Sequence, residues 1–147
     1  MQRTPLFLLP VIALTVSALL PLRASACSDD EHVTYFHAAD LAKELQASDL
    51  RVFDANSEET WRKGHVPGAV HVSYKQVSSA VLPADKATRL VFYCKNTQCT
   101  ASHVAAARAS ELGYAHVFVM PEGIDGWTAQ GLQVEKAEKP EKARADG

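Results

Sequence analysis

Arg89-Leu90-Val91-Phe92-Tyr93 is one charged residue followed by an unbroken apolar run, and eight residues separate it from an alanine-rich stretch at 102–112 (SHVAAARASEL). An apolar run this short, with no alternation, is a strand buried on both faces. The alanine-dominated stretch is a helix, and Gly113 supplies its C-terminal stop. A second buried strand follows at 116–120 (HVFVM). A strand buried on both faces needs a covering layer on each side. This strand–loop–helix–strand unit therefore predicts an α/β fold, with a central mainly parallel sheet flanked by helices. In such sheets ligands sit beyond the carboxyl ends of the strands. Cys94 lies just past the end of RLVFY.

The remaining chain supplies more of the same alternation. Residues 38–45 (AADLAKEL) carry apolar positions at helical spacing. Residues 50–55 (LRVFDA) form a short β-prone run containing Asp54. Residues 57–63 (SEETWRK) open with Ser57 as a helix N-cap, without a full capping box. GHVPGA at 64–69 has two glycines and a proline in six residues, so it is a turn, and a short strand follows at 70–72. Residues 74–81 are expected to be helical, with a loop around Pro83 and Asp85. Residues 123–130 (GIDGWTAQ) form a short amphipathic helix closed by Gly131. No internal repeat is visible.

The two ends differ from this pattern. After Arg3, residues 5–22 are almost continuously apolar, and Ala24-Ser25-Ala26 offers a small-x-small cleavage pattern. Residues 1–26 are therefore expected to be a secretory signal peptide, with a retained membrane anchor as the alternative. Cleavage after Ala26 leaves Cys27 first, as in bacterial lipoproteins. Ala24 stands where their motif usually carries leucine, so an ordinary exported protein is favoured over one lipidated at Cys27. Residues 135–147 (EKAEKPEKARADG) have no aliphatic side chain larger than alanine and are expected to be a disordered charged tail. That leaves one domain of about 100 residues, placed at 31–134.

A net charge of −2 points to no polyanionic partner, so nucleic acid is not expected. Three cysteines are too few for a disulfide-dense scaffold. Export would place them in an oxidising compartment, the bacterial periplasm, where a disulfide can persist.

Cys94 and Cys99 are five positions apart in the loop VFYCKNTQCTASH. A thiol at a strand end, followed by a helix N-terminus, meets unpaired N–H groups and a partial positive charge. Both favour the thiolate. The same donors can hold an oxyanion or a persulfide sulfur. Lys95 is the only formal cation of the loop. The alternative is a buried, inert cysteine.

Asp54 with the acidic stretch after it, then GHVPGAVHV, VFYC, SHVAAARASELGY and EGIDGW, in this order, resemble the rhodanese-like domain. The resemblance runs from about Val33 to Val134. It implies a compact α/β fold with a central parallel sheet, and a cysteine, here Cys94, that carries a persulfide sulfur from donor to acceptor. The loop departs from the family's usual Cys-x-x-Gly-x-Arg-Ser. It is two residues longer, reads Cys-x-x-x-x-Cys-x-x-Ser, and has neither glycine nor arginine. Asn56 stands where many members carry arginine after the aspartate. The missing arginine puts efficient use of thiosulfate in doubt and argues against phosphatase activity.

Three readings of the loop follow. In the first, an exported sulfurtransferase or persulfide carrier, Cys94 accepts a sulfane sulfur and passes it to a thiol, sulfite or cyanide, with no metal or other cofactor. Lys95, Asn96, Thr97, Gln98, Thr100 and Ser102 would line the donor site, and Cys99 could resolve the persulfide. In the second, Cys94 and Cys99 cycle between dithiol and disulfide with a partner oxidoreductase, or form a structural disulfide. In the third, the domain is a non-catalytic binding module. A metal held by Cys94, Cys99 and His103 is disfavoured because no second Cys/His cluster follows. Asp54 and His65 are supporting residues, each with a turn or hydrogen-bonding role as the alternative. Ser102 is read first as the helix N-cap, and second as a donor to the Cys94 sulfur. Tyr93, Trp61 and Trp127 are read as core. A membrane would be a partner only through lipidation at Cys27.

Overall fold

The computed structural model describes residues 33–137. The expected signal segment, Cys27 and the end of the charged tail lie outside the described residues. Five strands, β1 (Thr34–Tyr35), β2 (Leu50–Asp54), β3 (Val70–His71), β4 (Arg89–Tyr93) and β5 (Val117–Met120), form one sheet in the order β1-β5-β4-β2-β3. Every pairing is parallel. The run RLVFY is therefore the middle strand, which is why it carries no polar alternation.

Strand alternation sorts the core into two layers. Leu90, Phe92 and Cys94 face one layer, together with Phe53, Val119, Ala105 and Ala109. Val91 and Tyr93 face the other, with Leu41, Val52, Met120, Ile124 and Trp127. Helix α3 (Ala101–Glu111) covers the first face, and α1 (Ala38–Glu44) and α4 (Gly123–Ala129) cover the second. Alanines at 105, 106 and 109 allow α3 to lie close on the sheet. The in-register Phe53 and Phe92 rings stack at 5.1 Å on that side. The α/β architecture and the central parallel sheet agree with the sequence reading.

The local differences have physical causes. β1 was not expected, because it is two exposed residues on a sheet edge. Residues 74–81 form turns rather than a helix. Only Val77 within them and Leu82 just after them reach the core, while Val81 is exposed. Two buried anchors five residues apart, around a Ser-Ser pair, do not offset the cost of nucleating a helix. Ser57 caps α2 (Glu58–Lys63) as expected, accepting from the Thr60 N–H. Ser102 does not cap α3: Thr100 occupies the N-cap position and Ser102 is the second helical residue, 2% exposed. Trp127 is core, whereas Trp61 is only half-buried and stacks on His65 with ring centroids 4.5 Å apart. Glu135, first residue of the charged tail, pairs through its backbone with His65 in both directions, at 2.8 and 2.9 Å. Its carboxylate also accepts from the Gly68 N–H at 3.0 Å. Ordered pairing therefore continues into the segment expected to be disordered.

Two interactions hold the carboxyl edge of the sheet. The first is a buried hydrogen-bond chain on the α1/α4 side. The Tyr93 hydroxyl donates to Asp54 Oδ2 at 2.7 Å and accepts from the Val66 N–H at 3.0 Å. It joins β2, β4 and the GHVPGA turn. Asp54 also accepts from the Asn56 N–H at 2.7 Å. Burial raises the Asp54 carboxyl above its ordinary value, a shift that these hydrogen bonds only partly oppose. Burial and the neighbouring Asp54 charge push the Tyr93 hydroxyl up, so it stays protonated and donates.

The second interaction ties the cysteine loop to α4. The carbonyl of Cys94 accepts from the Ile124 N–H and that of Lys95 from the Asp125 N–H, both at 2.9 Å. The loop backbone thereby satisfies donors at the start of α4. Gly123 permits the approach. It has φ +62°, and a Cβ there would lie 2.5 Å from the Lys95 carbonyl group and 2.6 Å from the Cys94 oxygen.

Gly123→Ala should therefore destabilise the fold by about 2 kcal/mol or more, combining left-handed strain with a backbone clash. Denaturant titration giving a change under about 0.5 kcal/mol, the size of an ordinary surface substitution, would contradict this. Asp54 generates a pH prediction. A carboxyl whose folded value lies above 3.8 contributes stability that is full below that pH and is lost as pH rises through the folded value. An asparagine side chain does not titrate, so the melting temperature of Asp54→Asn should gain on that of the wild type as pH rises from 3.8 toward neutrality. A pH-independent difference, or one moving the other way, would overturn the assigned cause.

Candidate functional site

Cys94 sits immediately beyond the carboxyl end of the middle strand and is 1% exposed. Strand alternation turns its side chain to the α3 layer. Its sulfur lies 3.3 Å from Ser102 Oγ, in the first turn of α3, and 3.1 Å from the Cys99 carbonyl oxygen. Cys94 and Cys99 are in sulfur–sulfur bonding contact as a disulfide, with Cα atoms 6.2 Å apart, a separation within the usual disulfide range. Cys99 is half-buried against the same core layer.

The rest of the loop divides into a braced part and an open part. Asn96 does the bracing. Its Nδ2 donates to Asp125 Oδ2 at 3.1 Å, its Oδ1 accepts from the Gln98 N–H at 3.2 Å, and its carbonyl accepts from the Cys99 N–H at 3.0 Å. Thr97, Gln98 and Thr100 are exposed at the rim. Thr100 makes no side-chain cap bond to the first N–H groups of α3. Those donors and the helix dipole favour negative charge beside Ser102. Lys95 is exposed and borders a cleft of about 300 Å³ with Lys63, Asp125 and Thr128, on the side of α2 and α4.

The structure thus brings Cys94, Cys99 and Ser102 together and places the other loop candidates around them. It does not bring Asp54 or His65 to the sulfur. Asp54 pairs in register with Tyr93, one residue before Cys94, so its side chain faces the opposite layer. Its partners are Tyr93 and Asn56. His65 Nδ1 lies 3.0 Å from the Trp61 carbonyl, a structural contact. His103 lies against the Tyr35 ring at 6.3 Å and lines a cavity of about 200 Å³ with Val33, Ala106 and Val117. Among the described residues no three His, Cys, Asp or Glu side chains gather as a metal site, so the Cys94–Cys99–His103 ligand set is not assembled.

Sequence reasoning missed the α4 residues that position the loop, Ile124 and Asp125. The glycine spacing of EGIDGW was the available signal. Tyr93 is core as expected, but the bonds of its hydroxyl to Asp54 and Val66 were not foreseen, because a hydroxyl inside an apolar run carries no pattern of its own.

Comparison with known proteins agrees with this fold. The family description "Rhodanese-like domain" matches residues 37–130. The chain is 28% identical over 135 residues to YibN, an uncharacterized protein of Escherichia coli strain K12, covering 88% of this chain and 90% of that one. It is 26% identical over 90 residues to the thiosulfate sulfurtransferase GlpE of Pseudomonas aeruginosa, covering 61% of this chain and 80% of that one. Among solved structures, a thiosulfate sulfurtransferase from Pseudomonas aeruginosa superposes with a TM-score of 0.64 at 28% identity, over 73% of this chain and 20% of that longer chain. A rhodanese-related protein from Thermoplasma volcanium superposes with a TM-score of 0.60 at 22% identity, over 71% of this chain and 99% of that one. The matched span covers the whole sheet from β2 to β5, the cysteine loop and α4: this chain belongs to the rhodanese-like domain family.

Proposed function

We propose that the protein is a sulfurtransferase in which Cys94 accepts a sulfane sulfur as a persulfide and hands it to a small acceptor such as a thiol, sulfite or cyanide. The observation that carries this reading is the position of the Cys94 sulfur, at the carboxyl end of the middle strand and 3.3 Å from Ser102 in the first turn of α3. In the reduced protein, the N-terminal end of α3 stabilises the Cys94 thiolate. That thiolate attacks the outer sulfur of the donor and releases sulfite from thiosulfate, or a thiolate from an organic persulfide. The first N–H groups of α3, to which Thr100 gives no side-chain cap, are the donors offered to the terminal sulfur of the persulfide. The loop has no arginine to pair with a doubly charged donor. An organic persulfide should therefore be used more efficiently than thiosulfate.

The protein is further proposed to be exported to the periplasm after removal of residues 1–26, on the strength of the apolar segment and the Ala24-Ser25-Ala26 pattern. Lipidation of Cys27 would add a membrane anchor. The contact between Cys94 and Cys99 favours a second reading, dithiol–disulfide cycling with a partner oxidoreductase.

Mass spectrometry of reduced protein after exposure to thiosulfate or glutathione persulfide tests sulfur acceptance. The expected result, in protein lacking the Cys99 thiol, is a gain of about 32 Da on Cys94, one sulfur atom, that is absent from Cys94→Ser. No adduct with either donor would sink sulfur transfer. Ser102→Ala should slow loading about tenfold, the effect of losing one hydrogen bond to a charged sulfur. An unchanged rate would remove Ser102 from the mechanism.

A further inference from the structure

We infer that Cys99 is a second catalytic thiol, which expels the sulfur accepted by Cys94 as hydrosulfide, so that the protein reduces sulfane sulfur at the expense of a dithiol reductant. The inference rests on the reading of Cys94 as the sulfur acceptor.

Three observations carry it. First, the Cys99 sulfur meets the Cys94 sulfur directly, across a Cα separation of 6.2 Å. A relay that moved the sulfur from Cys94 to Cys99 would need an atom between them, spanned by two S–S bonds of about 2.05 Å each. Direct contact places Cys99 for attack on the inner sulfur instead. Second, the loop is held in this geometry. Asn96 binds the Cys99 and Gln98 N–H groups and reaches Asp125, while the Cys94 and Lys95 carbonyls anchor the other end on α4. A preformed contact makes the resolving step effectively intramolecular. Third, the two cysteines differ in access. Cys94 is 1% exposed, whereas Cys99 is half-buried, packed on one side against the α3 core layer. An incoming reductant therefore meets Cys99 first. The leaving thiolate is then Cys94, the one stabilised at the start of α3, as efficient exchange requires.

The steps balance. The Cys94 thiolate takes the outer sulfur of thiosulfate, forming Cys94–S–S⁻ and releasing sulfite. After protonation of the terminal sulfur, the Cys99 thiolate attacks Cys94 Sγ. The Cys94–Cys99 bond forms, the persulfide bond breaks, and HS⁻ leaves with the electron pair. A dithiol partner then attacks Cys99 Sγ and frees the Cys94 thiolate. Its second thiol displaces Cys99, and the partner leaves as a disulfide. The sulfane sulfur gains two electrons and the partner loses two. The partner is thus a protein or small molecule carrying two adjacent thiols.

The test uses fully reduced full-length protein freed of reductant, with whichever of thiosulfate and glutathione persulfide loads Cys99→Ser. The wild type should release about one equivalent of hydrosulfide and end about 2 Da lighter, with Cys94 disulfide-bonded to Cys99. Cys99→Ser and Cys99→Ala should instead keep about 32 Da on Cys94, with hydrosulfide release at least about tenfold slower. A wild type that holds the Cys94 persulfide as long as the variants, or that carries the extra sulfur on Cys99, would overturn the inference. Failure of both variants to load with either donor would instead overturn the sulfur-acceptor reading on which it rests.

Discussion

The site depends on a backbone contact. Gly123 lets the Cys94 and Lys95 carbonyls approach the start of α4 closely enough to take the Ile124 and Asp125 N–H groups. Without that approach, the loop after β4 would have no fixed height above the sheet. With it, the first two loop residues are anchored on one helix while Ser102 receives the Cys94 sulfur on another. One residue therefore uses both layers, its carbonyl bound to α4 and its side chain turned to α3. The Cys94 side chain belongs to a loop, but it is positioned by regular structure.

Strand alternation decides which residues can share the chemistry. Tyr93 and Cys94 are adjacent yet face opposite layers. Tyr93 is spent on Asp54 and the GHVPGA turn, and Cys94 alone faces the mouth of α3. Asp54 consequently acts on the site through the fold, by holding strand ends and a turn in place. Its carboxyl faces the layer opposite the Cys94 side chain and is held by the Tyr93 hydroxyl and the Asn56 N–H, so its role is structural.

Much of this was legible in the sequence where one physical signal dominated. The unbroken run at β4 could only be a doubly buried strand, and the alanines at 105, 106 and 109 could only serve a closely packed helix. Those two elements located Cys94. Signals that depend on tertiary partners were not legible. Ser102 has the composition of a cap, but the helix begins one residue earlier and turns its hydroxyl to the sulfur. Residues 74–81 have helical composition, but only Val77 within them and Leu82 just after them reach the core. Glu135 sits in a run of charges, and its pairing with His65 and Gly68 requires a turn that lies far away in the chain.

In the proposed function sulfur is carried on Cys94, beside Ser102 at the start of α3. A crystal structure of the reduced Cys99→Ser protein after exposure to a sulfane-sulfur donor tests it most directly. The expected result is one extra sulfur atom bonded to Cys94 Sγ and directed at the N–H groups of residues 101–103. An unmodified Cys94, or an added sulfur on any other side chain, would contradict it.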